Sequence, residues 1–219
     1  MNKKQLGLIH TSATLVPVFA QLCKTKLPIL EVFNLVDDSL IKDVIRRGEL
    51  TAQTARRVVQ HVVSAEAAGA DYILVTCSSI GRAVETAAGL VNVPVLRVDQ
   101  PMADRAVQTA RNIGVIATLP TTLEPTADLI ERRARKAGKE VKLTSRLCEG
   151  AFDALMSGDS AKHDGMVGAA LRDLASAVDV IVLAQASMAR VVEGLPAADR
   201  RVPILASPPL AIDYLATAL

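Results

Sequence analysis

Two rhythms alternate along the chain. Short apolar runs of three to six residues recur at 6–10, 29–34, 72–76, 95–98, 113–118, 141–145, 180–184 and 204–206. Several lack an apolar/polar alternation, as expected of strands covered on both faces. Between them apolar residues repeat at helical spacing. Residues 51–68 give the clearest helix, with Ala55, Val58, Val59, Val62 and Ala65 on one stripe and Gly69 as its stop. Further helices are expected over 80–88, 122–137 (stopped by Gly138), 162–177 and 208–219, with others around Cys23 and from Pro101. Strands alternating with helices over short connections predict an α/β fold with parallel sheets and right-handed crossovers.

The pattern also repeats. Tyr72-Ile-Leu-Val-Thr-Cys77-Ser78-Ser79-Ile80-Gly-Arg82 resembles Val180-Ile-Val-Leu-Ala-Gln185-Ala186-Ser187-Met188-Ala-Arg190 at an offset of 108. Asp71 and Asp179 precede the two runs at the same offset. Leu6-Gly-Leu-Ile matches Ile113-Gly-Val-Ile at 107, and Val93-Pro94-Val95-Leu96 matches Val202-Pro203-Ile204-Leu205 at 109. The chain therefore reads as two pseudo-symmetric three-layer halves, each a four-stranded parallel sheet flanked by helices. Residues 1–98 plus 208–219 form the first half and 99–207 the second, with helices exchanged between them. Ligands gather at the C-terminal ends of parallel strands, so the active site is expected in a cleft between the halves.

Composition narrows the function. The 219 residues are 50% hydrophobic but 2% aromatic, with no Trp, and 25 Lys+Arg nearly cancel 23 Asp+Glu. A nucleic-acid partner would call for a basic stripe or stacking aromatics, so none is expected. No apolar run approaches a membrane span, and the stretch before His10 is too short for a signal peptide. Three cysteines do not suggest a disulfide framework, so a reduced, cytoplasmic protein is the simplest reading.

Candidate chemistry falls at strand ends. Cys77 follows its apolar run directly and opens a helix start, where backbone N–H groups and the helix dipole favour thiolate. A small buried structural cysteine is the plain alternative. Ser78 and Ser79 flank Cys77, and Thr11, Ser12, Asn34, Thr118, Thr121, Thr122, Gln185 and Ser187 lie at or just past the ends of other strands. Such hydroxyls and amides bind a small carboxylate, although helix capping uses the same residue types. His10, His61 and His163 have no metal-ligand spacing, and no dinucleotide, phosphate-loop or pyridoxal-lysine signature appears, so chemistry without metal or cofactor is expected. Cys148 lies past another strand, and Cys23 falls in a helix, where packing is expected.

Two α/β halves with Val75-Thr76-Cys77-Ser78-Ser79 closing the third strand resemble the aspartate/glutamate/hydantoin racemase superfamily. Gly114-Val-Ile-Ala-Thr118 with Thr121 is similar to the family's opening of its second half. The resemblance implies a homodimeric, cofactor-independent isomerase acting on a small carboxylate (amino acid, hydantoin or dicarboxylate), with one cysteine from each half working on opposite faces of a carbon beside a carbonyl. Cys77 matches the first of these. Gln185 stands where the second belongs and cannot exchange a proton near neutral pH. The related arylmalonate decarboxylases work with one cysteine, in their second half. A racemase or epimerase using Cys77 as acid/base is thus the leading expectation. A single-cysteine decarboxylase or lyase, or a ligand-binding protein on the same scaffold, are the alternatives.

Overall fold

The computed structural model describes residues 3–219. Among these lie eight strands and ten α-helices, grouped into two compact units. One unit runs to Gln100 and takes in Ala211–Leu219; the other is Pro101–Leu210.

In the first unit the chain passes through β1 (Gln5–His10), α1 (Leu15–Lys26), β2 (Glu31–Val36), α2 (Asp38–Arg47), α3 (Ala52–Ala67), β3 (Tyr72–Val75), a 3-10 turn at Ser78–Ile80, α4 (Gly81–Ala88) and β4 (Val95–Arg97). The sheet is parallel, in the order β2-β1-β3-β4. The second unit contains α5 (Gln100–Thr109), β5 (Asn112–Ala117), α6 (Pro120–Lys136), β6 (Lys142–Leu147), α7 (Ala151–Met156), α8 (Ser160–Leu174), β7 (Val180–Leu183), α9 (Ala189–Gly194), β8 (Ile204–Ala206) and the start of α10 (Ser207–Ala218). Its parallel sheet has the same order, β6-β5-β7-β8.

Burial follows position in the sheet. The inner strands β1, β3, β5 and β7 are buried almost throughout, whereas the edge strands β2 and β6 alternate or stand exposed. In the first sheet Ile9, Ile73 and Val75 point to one core with Val58 and Val62 of α3. Leu6, Leu8 and Leu74 point to the other, with Phe19 of α1 and Ala211, Ile212 and Leu215 of α10. In the second sheet Ile113, Val115 and Val182 pack against α5 and α6, and Ile116, Ile181 and Leu183 against α8.

The second strand starts later than expected. Glu31, not Ile29, opens it, because Leu27–Leu30 turns the chain and leaves Ile29 75% exposed. The strand also runs on to Val36, so Asn34 lies inside β2 rather than beyond it. Helix α2 was not foreseen. Its local signals are an Asp37 cap accepting from the Ser39 amide and only two buried residues, Leu40 and Val44. The aspartates shared by the repeat are structural. Asp71 accepts from the Gln5 amide at 2.7 Å and Asp179 from the Asn112 amide at 2.8 Å, each fastening the entry of the neighbouring strand. Among the described residues no helix is long and apolar enough to cross a membrane.

Asp37 gives a test of this architecture. It caps α2 and pairs with Arg57 Nη2 at 2.6 Å and His61 Nε2 at 2.8 Å. Burial acts to raise its pKa, but hydrogen bonds from Ser39 and His61 and the Arg57 charge outweigh that and hold the carboxyl at about 2. Its stabilising effect is therefore present above the ordinary carboxylate range and lost as pH falls through about 2. Asp37→Ala is expected to cost about 1 kcal/mol at neutral pH. In urea unfolding, its gap from the wild type should close as pH is lowered below about 4.

Candidate active site

Cys77 continues β3 in extended backbone (φ −133°, ψ 121°) and leads into the turn Ser78–Ile80 and then α4. The apolar run of β3 ends there because the following backbone folds over to start the helix. The amides of Ser79 and Ile80 thereby point back at the sulfur and hydrogen-bond it. The Thr11 hydroxyl, just past β1, donates to it as well. The residue is half-buried and borders the core that contains Ile9, Val75 and Ile80.

These donors do not make a resting thiolate. Burial pushes the Cys77 thiol up, and the nearby Asp99 carboxylate adds to that; Thr11 and the two amides oppose it without prevailing. The helix-start argument alone favours thiolate, but desolvation is the larger effect. In the free protein Cys77 holds its proton.

Behind Thr76 lies a hydrogen-bonded chain that reading along the sequence did not reveal. His10, fully buried, contacts Thr76 Oγ1 through Nδ1 and Asn34 Oδ1 through Nε2, both at 2.9 Å. A ring donating from Nε2 to Asn34 leaves Nδ1 to accept from the Thr76 hydroxyl. Burial lowers the His10 pKa, with the Asn34 hydrogen bond opposing, so the ring is neutral at neutral pH. The chain crosses the ends of β2, β1 and β3.

The second unit repeats the local geometry with different chemistry. Gln185 continues β7 in extended backbone (φ −131°, ψ 137°) into a 3-10 turn at Ala186–Met188 and then α9. Its Oε1 accepts from the Thr118 amide at 2.6 Å and the Thr118 hydroxyl at 2.9 Å. Thr118 is thus to Gln185 what Thr11 is to Cys77.

The other expected site residues divide between the units. Ser78 and Ser79 are buried beside Cys77. Asn34 reaches the site only through His10. Ser12 pairs with Thr14 at 2.8 Å ahead of α1. Thr121 and Thr122 occupy the first turn of α6, where the Thr121 hydroxyl is buried without a hydrogen-bond partner. Ser187 is half-buried in the turn after Gln185. Cys148 directly follows β6 and is buried among Ile116, Val167 and Met188. Cys23 packs in α1, where burial lifts its thiol to about 11. Among the described residues no three His, Cys, Asp or Glu side chains converge to hold a metal ion.

The Asp/Glu/hydantoin racemase family profile matches residues 6–215. No curated protein sequence matches the chain. Glutamate racemase isoform RacE1 from Bacillus anthracis is similar in structure, with a TM-score of 0.77 at 19% identity over 100% of this chain and 82% of that one. Allantoin racemase from Klebsiella pneumoniae gives 0.70 at 17% identity over 99% and 87%. The aspartate racemase of Picrophilus torridus gives 0.71 at 12% identity over 98% and 94%. At these identities the likeness is one of fold.

Proposed function

Because this chain belongs to the Asp/Glu/hydantoin racemase family, we propose that it is an isomerase that moves a proton at the carbon next to the carboxylate of a small substrate, with Cys77 as acid/base and no cofactor. The observation that carries this reading is the sulfur at the end of β3, half-buried, with the Thr11 hydroxyl and two backbone amides directed at it. A hydrogen beside a carboxylate is weakly acidic, so the group that takes it must be close, oriented and partly desolvated. Once its own proton is lost, the thiolate removes the α-hydrogen. The electron pair spreads into the carboxylate as an enediolate, and the new S–H returns a proton to the same carbon. The Ser78 and Ser79 hydroxyls supply donors for the carboxylate in this unit, while the Thr11 hydroxyl stays on the sulfur. In the second unit Thr118 and Gln185 bind rather than react, because an amide does not exchange protons near neutral pH.

One thiol reaches one face of the carbon. Exchange of the α-hydrogen with solvent should therefore outrun inversion of the centre. Amino acids, hydantoins and dicarboxylates incubated with the protein in deuterated water are the direct test. Deuterium should enter the α-position of the true substrate while carbon dioxide is retained. No exchange in any of the three classes would overturn the reading.

A second reading is favoured by the protonated resting thiol. A decarboxylase needs one proton donor to quench an enolate, and a thiol held above its ordinary pKa is such a donor. Release of carbon dioxide from a malonate-type substrate in the same incubations would select it.

A further inference from the structure

Each unit carries an outer strand beside the one that ends in Cys77 or Gln185. The registers correspond: Val75 pairs with Arg97 and Leu183 with Ala206. Two residues further on, past both ladders, Cys77 corresponds to Asp99, whose charge acts on the thiol, and Gln185 to Pro208 in the first turn of α10. Alternate residues of a strand share a face. Val75 and Arg97 therefore line the side of the sheet that α4 covers, and the Arg97 side chain reaches Asp99 in the turn that follows β4.

On that side Arg97 is 2% exposed and Asp99 0%. The guanidinium grips Asp99 bidentately, Nε to Oδ1 at 2.7 Å and Nη2 to Oδ2 at 2.8 Å, and Nη1 reaches Glu85 Oε1 of α4 at 2.5 Å. It also lies flat against Gly81, the first residue of α4, so closely that a Cβ there would overlap it. Arg97 thus fastens β4 to the start of α4, immediately after the amides that bond the Cys77 sulfur.

The duplication supplies the control. At the equivalent places the second unit has Ala206 for Arg97, Pro208 for Asp99 and Ala189 for Gly81, while Glu193 still matches Glu85. The same sheet order forms there without the buried ion cluster, so the fold does not require it. Burying the two charged groups Arg97 and Asp99 also carries a desolvation cost that apolar packing avoids. The cluster accompanies the thiol and is missing beside the glutamine.

We infer that Arg97 and Asp99 are positioning residues for Cys77: Arg97 seats the amide-bearing turn and offsets the Asp99 charge that lies beside the sulfur. This rests on the reading of Cys77 as the reactive group. The titratable and charged groups around it are Arg97 of β4, Asp99 in the turn after β4, Arg82 and Glu85 of α4, the neutral His10 of β1, and Asp37 before α2 with its partners Arg57 and His61.

The test is the pH dependence of Cys77 alkylation by iodoacetamide in the full chain, read by mass spectrometry with Cys23 as the internal reference. Asp99→Asn should lower the Cys77 midpoint by about one pH unit, and Arg97→Met should raise it by about as much. Arg97→Lys keeps the charge but loses the fork, so it should leave the midpoint near wild type and reduce the limiting rate several-fold. If Arg97→Met does not fold, the other two variants decide. Folded Asp99→Asn and Arg97→Lys proteins whose Cys77 matches the wild type in midpoint and rate would overturn the inference alone. A wild-type Cys77 that alkylates no faster than Cys23 would overturn the reading beneath it.

Discussion

Cys77→Ala should abolish deuterium exchange into substrate, a fall of at least about 1000-fold, while leaving the protein folded. The size follows from the role. No second thiol, carboxylate or imidazole hydrogen-bonds this sulfur to take over the proton; its named contacts are the Thr11 hydroxyl and two backbone amides. Cys77→Ser should lose nearly as much, because a hydroxyl keeps its proton far more tightly than a thiol. The structural cost should be small. Cys77 sits at the border of the core rather than within it, so a change in stability of about 1 kcal/mol or less is expected. Thermal unfolding alongside the exchange assay separates the two effects. Full exchange in a folded Cys77→Ala protein would remove Cys77 from the chemistry.

Phe19→Ala should be the most damaging of these substitutions for folding, at about 3–5 kcal/mol. The ring is fully buried on the face of the first sheet that holds Leu6, Leu8 and Leu74. Its centroid lies 5.6 Å from that of His10, with the planes tilted by 56°. Removing it empties a cavity and also withdraws the support on which the His10 ring leans. The urea midpoint should fall with an unchanged slope. Phe19→Leu should cost markedly less, because most of the volume remains. A loss below about 1 kcal/mol for Phe19→Ala would contradict the packing described for this face.

Much of the architecture was legible along the chain, because the inner strands are buried on both sides and their apolar runs have no competing interpretation. Internal repetition made two four-stranded parallel sheets readable from matching offsets, while their strand order is seen only in the structure. The edge strand β2 was harder. Its flanking Leu27–Leu30 segment is as apolar as a strand, and only the turn it makes shows that Ile29 faces solvent. Helix α2 carries a recognisable cap at Asp37 and a glycine stop at Gly48, but two buried residues in ten give a faint periodic signal.

The site was half legible. Strand-end logic singles out Cys77, its hydroxyl neighbours, Thr118 and Gln185 as candidates, but the hydrogen bonds between Thr118 and Gln185 are seen only in the structure. The chain from Asn34 through His10 to Thr76 joins residues 24 and 66 positions apart, and such pairs depend on strand register. Arg97 and Asp99 did leave a trace. A charged pair closing an apolar strand, opposite an alanine and a proline in the duplicate, departs from the repeat just where the chemistry does. The protonation state of Cys77 had no trace at all, because desolvation is a property of the assembled unit.

The way α10 completes the first unit bears on biosynthesis. Leu8 is synthesised 203 residues before Ala211, which with Ile212 and Leu215 packs in the same core as Leu6 and Leu8. Until then that face of the nascent sheet is covered by α1 alone, whereas residues 101–210 already hold the whole of the other compact unit. The thiol-bearing unit therefore receives the last of its core residues only after every residue of the other unit has been synthesised.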